Sequence, residues 1–306
     1  LLPAVEAARD AARRTQCKAN LKQIMIGVHG FEASWKGLPN AASAKILSGP
    51  YVNQASETSI HCSLLPYLEA ESIFNAMNFE VPLQRLSDLG GANISVASLR
   101  IGSFVCPSDP AGAIVDIGMN NYRANAGFSD FHRVSDRVPI YSAIDGGAFA
   151  IQSPLLPLAA FRDGLAMTVG FSEKPVGSRM ATAPNPFRDW NDISTTITLG
   201  PDEWINYCKW RSTSPNYQTD AGATWVLAGA VYTTFYMSAP PNSIIPDCGF
   251  RGYSRDPGLF TARSYHPGGV HIAMMDGSVR WIASGVDLRA WRSLGTRDQG
   301  DIASTP

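Results

Sequence analysis

Apolar residues near the start of the chain recur in steps of three and four, so that Cys17, Leu21, Ile24, Val28, Phe31 and Trp35 share one helical face. Ahead of them Leu1, Val5, Ala8 and Ala12 keep the same stepping on smaller side chains. The stripe stops at "WKGLP": Gly37 suits the left-handed conformation after a last turn, Leu38 can fold back on the helix, and Pro39 forbids continuation. A helix of about 36 residues is about 54 Å long, well beyond the usual globular range. Its first half, "LLPAVEAARDAARR", is lined by alanine, with Arg9, Arg13, Arg14 and Lys18 around it. The pattern admits two readings. One is a coiled-coil or over-long core helix. In the other, the C-terminal half packs on a globular head, while a more apolar upstream part belongs to a membrane or a filament core.

After Pro39 the pattern changes. Residues 64–79, "LLPYLEAESIFNAMNF", read as a short helix with Leu65, Leu68, Ile73 and Phe74 inward and Pro66 near its first turn. From Ser95 onward, short β-branched and aromatic runs alternate with Gly, Pro, Asn and Asp clusters, which predicts an antiparallel sheet. In "SYHPGGVHIAMMDGSVRWI", Asp276-Gly277 predicts a two-residue hairpin turn. That turn pairs Met275 with Ser278, Met274 with Val279, Ala273 with Arg280 and Ile272 with Trp281. Val270, Ile272, Met274, Val279 and Trp281 then share the core face, and His271 lies opposite as a polar rim residue. Extended, His266 and Asp276 stand about 30 Å apart, and His271 has the wrong parity for either. The expectation is that the three do not meet and that His266 caps the Gly-Gly turn. A final helix starts at Asp287 as N-cap and stops at Gly295, burying Leu288, Trp291 and Leu294. The predicted fold class is α+β: a long N-terminal helix (1–38) laid against the antiparallel sheet of a head (39–306), with an aromatic-rich β insertion at about 184–246.

Composition narrows the function. The chain has 306 residues, 45% apolar and 17% charged, which suits a folded body. Its 25 basic and 26 acidic residues leave no global field to hold nucleic acid or an anionic membrane. No run of 18 apolar residues appears, and the sequence does not open on a signal peptide. Five scattered cysteines form no CxxC pair, and their odd number leaves at least one free or paired between chains. They suit an exported protein with one or two disulfides.

Candidate chemistry is sparse. Trp190, Trp204, Tyr207 and Trp210 are positioned to stack on a glycan, to build a subunit interface, or simply to fill a second small core. Asp109, Asp116, Asn120 and Asn121 form an oxygen-rich loop, read either as a Ca²⁺ site or as Asx turns satisfying their own backbone. No other cofactor is expected. GxSxG, HExxH, SxxK and phosphate-loop motifs are absent, and Asp189, Asp192, Asp202 and Glu203 make no case for a glycosidase pair by sequence proximity alone.

Taken together, the motifs resemble those of the large planctomycete-type family of pilin-like proteins named for an H-X9-DG C-terminal motif. His266 and Asp276-Gly277 supply that motif, and the likeness extends to Pro267, Gly268 and Gly269 in "HPGGV", to "DGSVRWI", to "CPSDP" at 106–110, to "LLPYLE" at 64–69 and to the N-terminal helix. The usual "DGTSNT" segment departs to "DGLAMT" at 163–168, and the prepilin signature is not in the sequence. The resemblance implies a type IV pilin or pseudopilin-like subunit: exported, anchored in the membrane before assembly through an upstream apolar half-helix, and self-associating at the cell surface or outside it. In that role Leu1, Val5, Ala8, Ala12, Leu21, Ile24 and Val28 belong to the assembly helix, and the chain is structural, not an enzyme. The competing expectation is a cell-surface carbohydrate-binding module tethered by its helix.

Overall fold

A computed structural model describes residues 2–49, 55–83, 86–89, 91–113, 118–128, 146–151, 154–194, 197, 199–251 and 257–300. The apolar stripe forms one helix, α1 (Leu2–Trp35). Cys17, Leu21, Ile24, Met25 and Val28 are fully buried, Phe31 is half-buried and Trp35 is exposed. Residues 3–12 are exposed throughout, Val5 to 47%. The helix ends one residue earlier than its stop signal suggests. Lys36, not Gly37, takes the left-handed conformation (φ 57°). Gly37 is instead buried where a Cβ would lie 2.7 Å from that of Leu155, and Leu38 donates its N–H to the carbonyl of Leu156 at 2.8 Å.

Strands β1 (Ala42–Ile46) and β2 (Ala55–Ser59) form a small antiparallel pair. The single helix expected over 64–79 is broken. The Ser59 side chain caps α2 (Ile60–Leu64), Pro66 sits in a 3-10 turn, and Glu69 adopts φ 58° before α3 (Glu71–Ala76). After the short α4 (Ile94–Ala97) come β3 (Tyr122–Asn125), β4 (Val169–Glu173), β5 (Trp190–Asp192), α5 (Pro201–Arg211), β6 (Tyr217–Gln218), β7 (Thr234–Phe235), β8 (Asp247–Gly249) and β9 (Gly258–Leu259). The chain closes on β10 (Gly269–Met274), β11 (Val279–Ala283) and α6 (Leu288–Ser293). The main sheet runs β11-β10-β4-β3-β7, and a second runs β6-β5-β8-β9. Both are mixed, because β3 pairs with β7, and β5 with β8, in parallel. The architecture is α+β, with the C-terminal half of α1 laid on β4, β10 and β11. Among the described residues no helix is long and apolar enough to cross a membrane.

The β10–β11 hairpin departs from expectation by one residue. His271 pairs with Trp281, Ile272 with Arg280 and Ala273 with Val279. Met274 exchanges backbone hydrogen bonds with Ser278 and Gly277, so the loop holds three residues, and Gly277 takes φ 81°. A Gly in that position makes a bulge, and a one-residue slip turns every side chain of the second strand over. Val279 and Trp281 therefore share the α1 side with His271 and Ala273, while Ile282 joins Val270 and Ile272 on the other face. Both faces of β10 are buried, as its near-continuous apolar run requires. Val270, Ile272 and Met274 pack with Val169, Phe235, Trp291 and Leu294 beneath α6. That helix forms as predicted: Asp287 accepts from the backbone of Arg289 and Ala290, and Leu288 is partly buried in the same cluster.

Under α1, His61 sits in the core with its ring edge-on to Phe104 (4.7 Å) and Phe171 (5.8 Å), donating from Nε2 to the Tyr122 carbonyl at 2.8 Å. Burial pulls its pKa down to about 4, against the opposing bond to Tyr122. The folded value lies below the unfolded one, so this contribution to stability is complete above about pH 6.5 and is lost as pH falls towards 4, on the order of 3 kcal/mol. Denaturant titrations between pH 7 and 4.5 are expected to show that decline. His61→Asn flattens it, and a slope unchanged in the variant contradicts the assignment.

Candidate functional site

The chemistry of the molecule collects beneath the midpoint of α1. Cys17 and Asn20, three residues apart, present side chains from one helical face. Cys17 forms a disulfide with Cys106 in the loop before β3. Asn20 donates to the Val105 carbonyl at 2.9 Å and to the Tyr122 hydroxyl at 3.2 Å. From below, β4 ends on Glu173, 2% exposed, whose Oε1 accepts from His266 Nε2 and His271 Nδ1 at 3.1 Å each, while Oε2 accepts the backbone N–H of His271 at 2.8 Å. Burial pushes the Glu173 carboxyl up, but the hydrogen bonds from the two histidines outweigh it and leave it below the usual range. The imidazoles meet edge to face at 5.1 Å, His271 packs on Trp281 at 4.9 Å, and the Arg14 guanidinium covers that indole at 3.8 Å.

His266 also lines a groove of about 690 Å³ between the exposed half of α1 and the loops at 107–110 and 265–267, with Asp10, Arg13, Arg14, Ser108 and Tyr265. Cys17, Cys106, His266 and Glu173 bring one donor atom each within 4.8 Å of one another, the one such group of metal-ligating side chains among the described residues.

The expectation that His266 and His271 stay apart is therefore wrong. Strand parity applies only to extended chain, and Pro267-Gly268-Gly269 folds back: Gly268 takes φ 84°, and Gly269 lies so close to the Ile282 carbonyl that a Cβ would stand 2.1 Å from it. His266 is thus returned beside the face of β10 that carries His271. Its ring goes to Glu173, not to a cap, and His271 is buried, not at a rim. Asp276 does stay at the far tip, where it accepts from the Ser278 N–H at 2.8 Å. That tip meets α1 as well, since Lys22 Nζ donates to the Gly277 carbonyl at 2.7 Å. One end of the H-X9-DG motif thus lies beside Cys17 of α1, and the other is bonded to Lys22.

Further charges lie alongside. Asp247 is buried between Lys174 and Arg263. Burial lowers the Lys174 ammonium to about 7 against the pull of Asp247, and the two cations hold the Asp247 carboxyl below its usual range in spite of burial. Asp109, a proposed calcium ligand, already accepts from Ala111 N, Val176 N, Asn121 Nδ2 and the Arg188 guanidinium within 2.9 Å. Asn120 is spent on Tyr122 N and the Tyr232 carbonyl. These donors are consumed by the backbone turns they hold, and Asp116 lies outside the described residues.

The aromatic candidates separate by depth. Trp190 and Trp204 are fully buried, and Trp204 packs in a core with Cys208, Cys248 and Leu259, where a second disulfide joins α5 to β8. Tyr207 is partly buried against that core, and Trp210 is 62% exposed. Two rings without surface cannot stack on a sugar. Of the helix positions, Leu21, Ile24 and Val28 belong to the core, Val5, Ala8 and Ala12 stand in solvent, and Leu1 lies outside the described residues.

Sequence reasoning missed Glu173, Lys174 and Asp247. The one signal was "SEKP", a pair of charges directly closing an apolar strand.

Residues 6–289 match the family described as "Protein of unknown function (DUF1559)", so the chain belongs to that family over most of its length. No curated protein and no solved structure matches it.

Asp247→Ala strands both Lys174 and Arg263 and is expected to cost about 3–5 kcal/mol in urea unfolding, whereas Lys174→Met leaves the Asp247–Arg263 pair intact and costs less. The reverse order contradicts a carboxylate shared by the two cations.

Proposed function

We propose that this member of the DUF1559 family is a structural subunit of an exported, type IV pilus-like or pseudopilus-like filament or surface assembly, with α1 as its assembly element. One observation carries the reading: α1 is a single helix with two environments. From Cys17 to Phe31 one face of it is packed into the head, and over residues 3–12 every position is exposed among the described residues. An isolated helix of that length is marginal in water, so a projecting stretch gains most of its stability from a neighbour. Alanines 4, 7, 8, 11 and 12 let another helix approach closely, and Glu6–Arg9 and Asp10–Arg13 already neutralise each other in pairs.

Other features support the same reading. The motif that resembles the pilin-like family's lies against α1, through Lys22 at Gly277 and beside Cys17 at His266, which supports a role in seating the helix. Two disulfides suit an oxidising compartment at or beyond the cell surface. Before assembly such a subunit is held in the membrane by an apolar segment ahead of α1. The burial of Trp190 and Trp204 weighs against a glycan-binding module.

Electron microscopy of material sheared from cells, labelled with an antibody to the head, tests the proposal. Filaments with a helical repeat that carry the label are expected, with a mature N-terminus upstream of Leu1. Label confined to soluble monomers overturns it.

A further inference from the structure

We propose that Cys17, Cys106, His266 and Glu173 form a zinc site in the dithiol state of the protein, and that the Cys17–Cys106 disulfide is its oxidised replacement. The proposal does not rest on the filament reading, since it concerns how α1 is held to its own head.

Two thiolates, one imidazole and one carboxylate are a complement that zinc takes in tetrahedral coordination. Zinc–nitrogen and zinc–oxygen bonds of about 2.0–2.1 Å at a tetrahedral angle place the two donors about 3.3 Å apart; His266 Nε2 and Glu173 Oε1 stand at 3.1 Å. A zinc–sulfur bond of about 2.3 Å puts sulfur and nitrogen about 3.5 Å apart; Cys106 Sγ and His266 Nε2 stand at 3.9 Å. Once reduced, the two sulfurs need to part to about 3.8 Å. The four donors come from three separate parts of the fold and from α1, and all four are buried, so the ligands are gathered by the tertiary structure and not by a loose surface cluster.

A zinc site also needs support around its ligands and a way in. His271 supplies the support, holding both oxygens of Glu173 through Nδ1 and its backbone N–H. The groove lined by His266, Ser108 and Arg14 supplies the way in. With both thiols ionised, the ligands carry three negative charges against two on the metal, and the Arg14 guanidinium lies over Trp281, whose ring packs against both histidines.

The exchange between states balances. A disulfide-class oxidant accepts two electrons from the thiolates and two protons from water and becomes two thiols. The two zinc-bound thiolates join as the Cys17–Cys106 bond, and the zinc ion leaves through the groove. His266 then returns to Glu173, as the structure has it. In a reducing compartment the metal ties α1 to the head, and in an oxidising one the disulfide does.

The test uses the full chain with Cys208 and Cys248 changed to serine, which removes the other disulfide's thiols. After reduction and desalting without oxygen, zinc is added, and bound metal is measured by mass spectrometry while near-ultraviolet circular dichroism follows the fold. Cobalt replaces zinc in a parallel sample to read thiolate charge-transfer absorption. One zinc per reduced chain is expected, none per oxidised chain, and at least tenfold weaker binding in His266→Ala and Glu173→Gln, each checked for a native spectrum in its oxidised form. A reduced chain that unfolds alone and regains its spectrum with zinc also supports the site. No zinc bound by the reduced chain, undiminished binding in both variants, or a reduced chain that stays unfolded with zinc overturns it.

Discussion

A carboxylate buried in the middle of a protein must be fully compensated, and Glu173 is the point on which the rest of this structure turns. Its charge survives burial because His266 and His271 bring three hydrogen bonds to it. That requirement fixes the last residue of β4 against the first half of β10 and forces the chain at Pro267-Gly268-Gly269 to double back. Removing Glu173 takes away the partner that both imidazoles share, directly beneath Cys17 of α1.

The seat then explains the helix. Over residues 3–12 α1 is exposed, and from Cys17 on the disulfide, Asn20 and Lys22 hold it within about one and a half turns. The apolar stripe alone does not make that division, since Val5 and Ala8 continue its stepping into solvent. What divides the helix is where polar anchors begin. A rigid attachment at one end and a free end at the other is the mechanical form that an assembly rod needs, which links the packing of the head to the proposed role.

Much of this was legible in the sequence, for local reasons. The α1 stripe, its stop near Pro39 and the Asp287 cap of α6 are each set by residues within a few positions of one another. The errors have one origin, which is contact between distant parts of the chain. The sequence offered Asp276-Gly277 as a two-residue turn, but Met274 pairs with Ser278, and the slip sends Trp281 to the α1 side. Parity kept His266 from His271 only because the fold-back at Pro267 is a tertiary event. Cysteine pairing is not encoded in spacing, and Glu173 reads as an ordinary surface acid until three strands close around it. The resemblance named His266 and Gly277 without saying what they contact; in the structure His266 bonds Glu173, and the Gly277 carbonyl accepts from Lys22 of α1.

The claim at the centre of this account is that α1 is one helix with a seated half and a free half. Amide hydrogen exchange on the purified chain, resolved along α1, tests it most directly. The account predicts slow exchange from Cys17 to Phe31, close to that of β10, and fast exchange over residues 3–12. Uniform protection along the whole helix, or rapid exchange through Leu21 and Ile24, contradicts it.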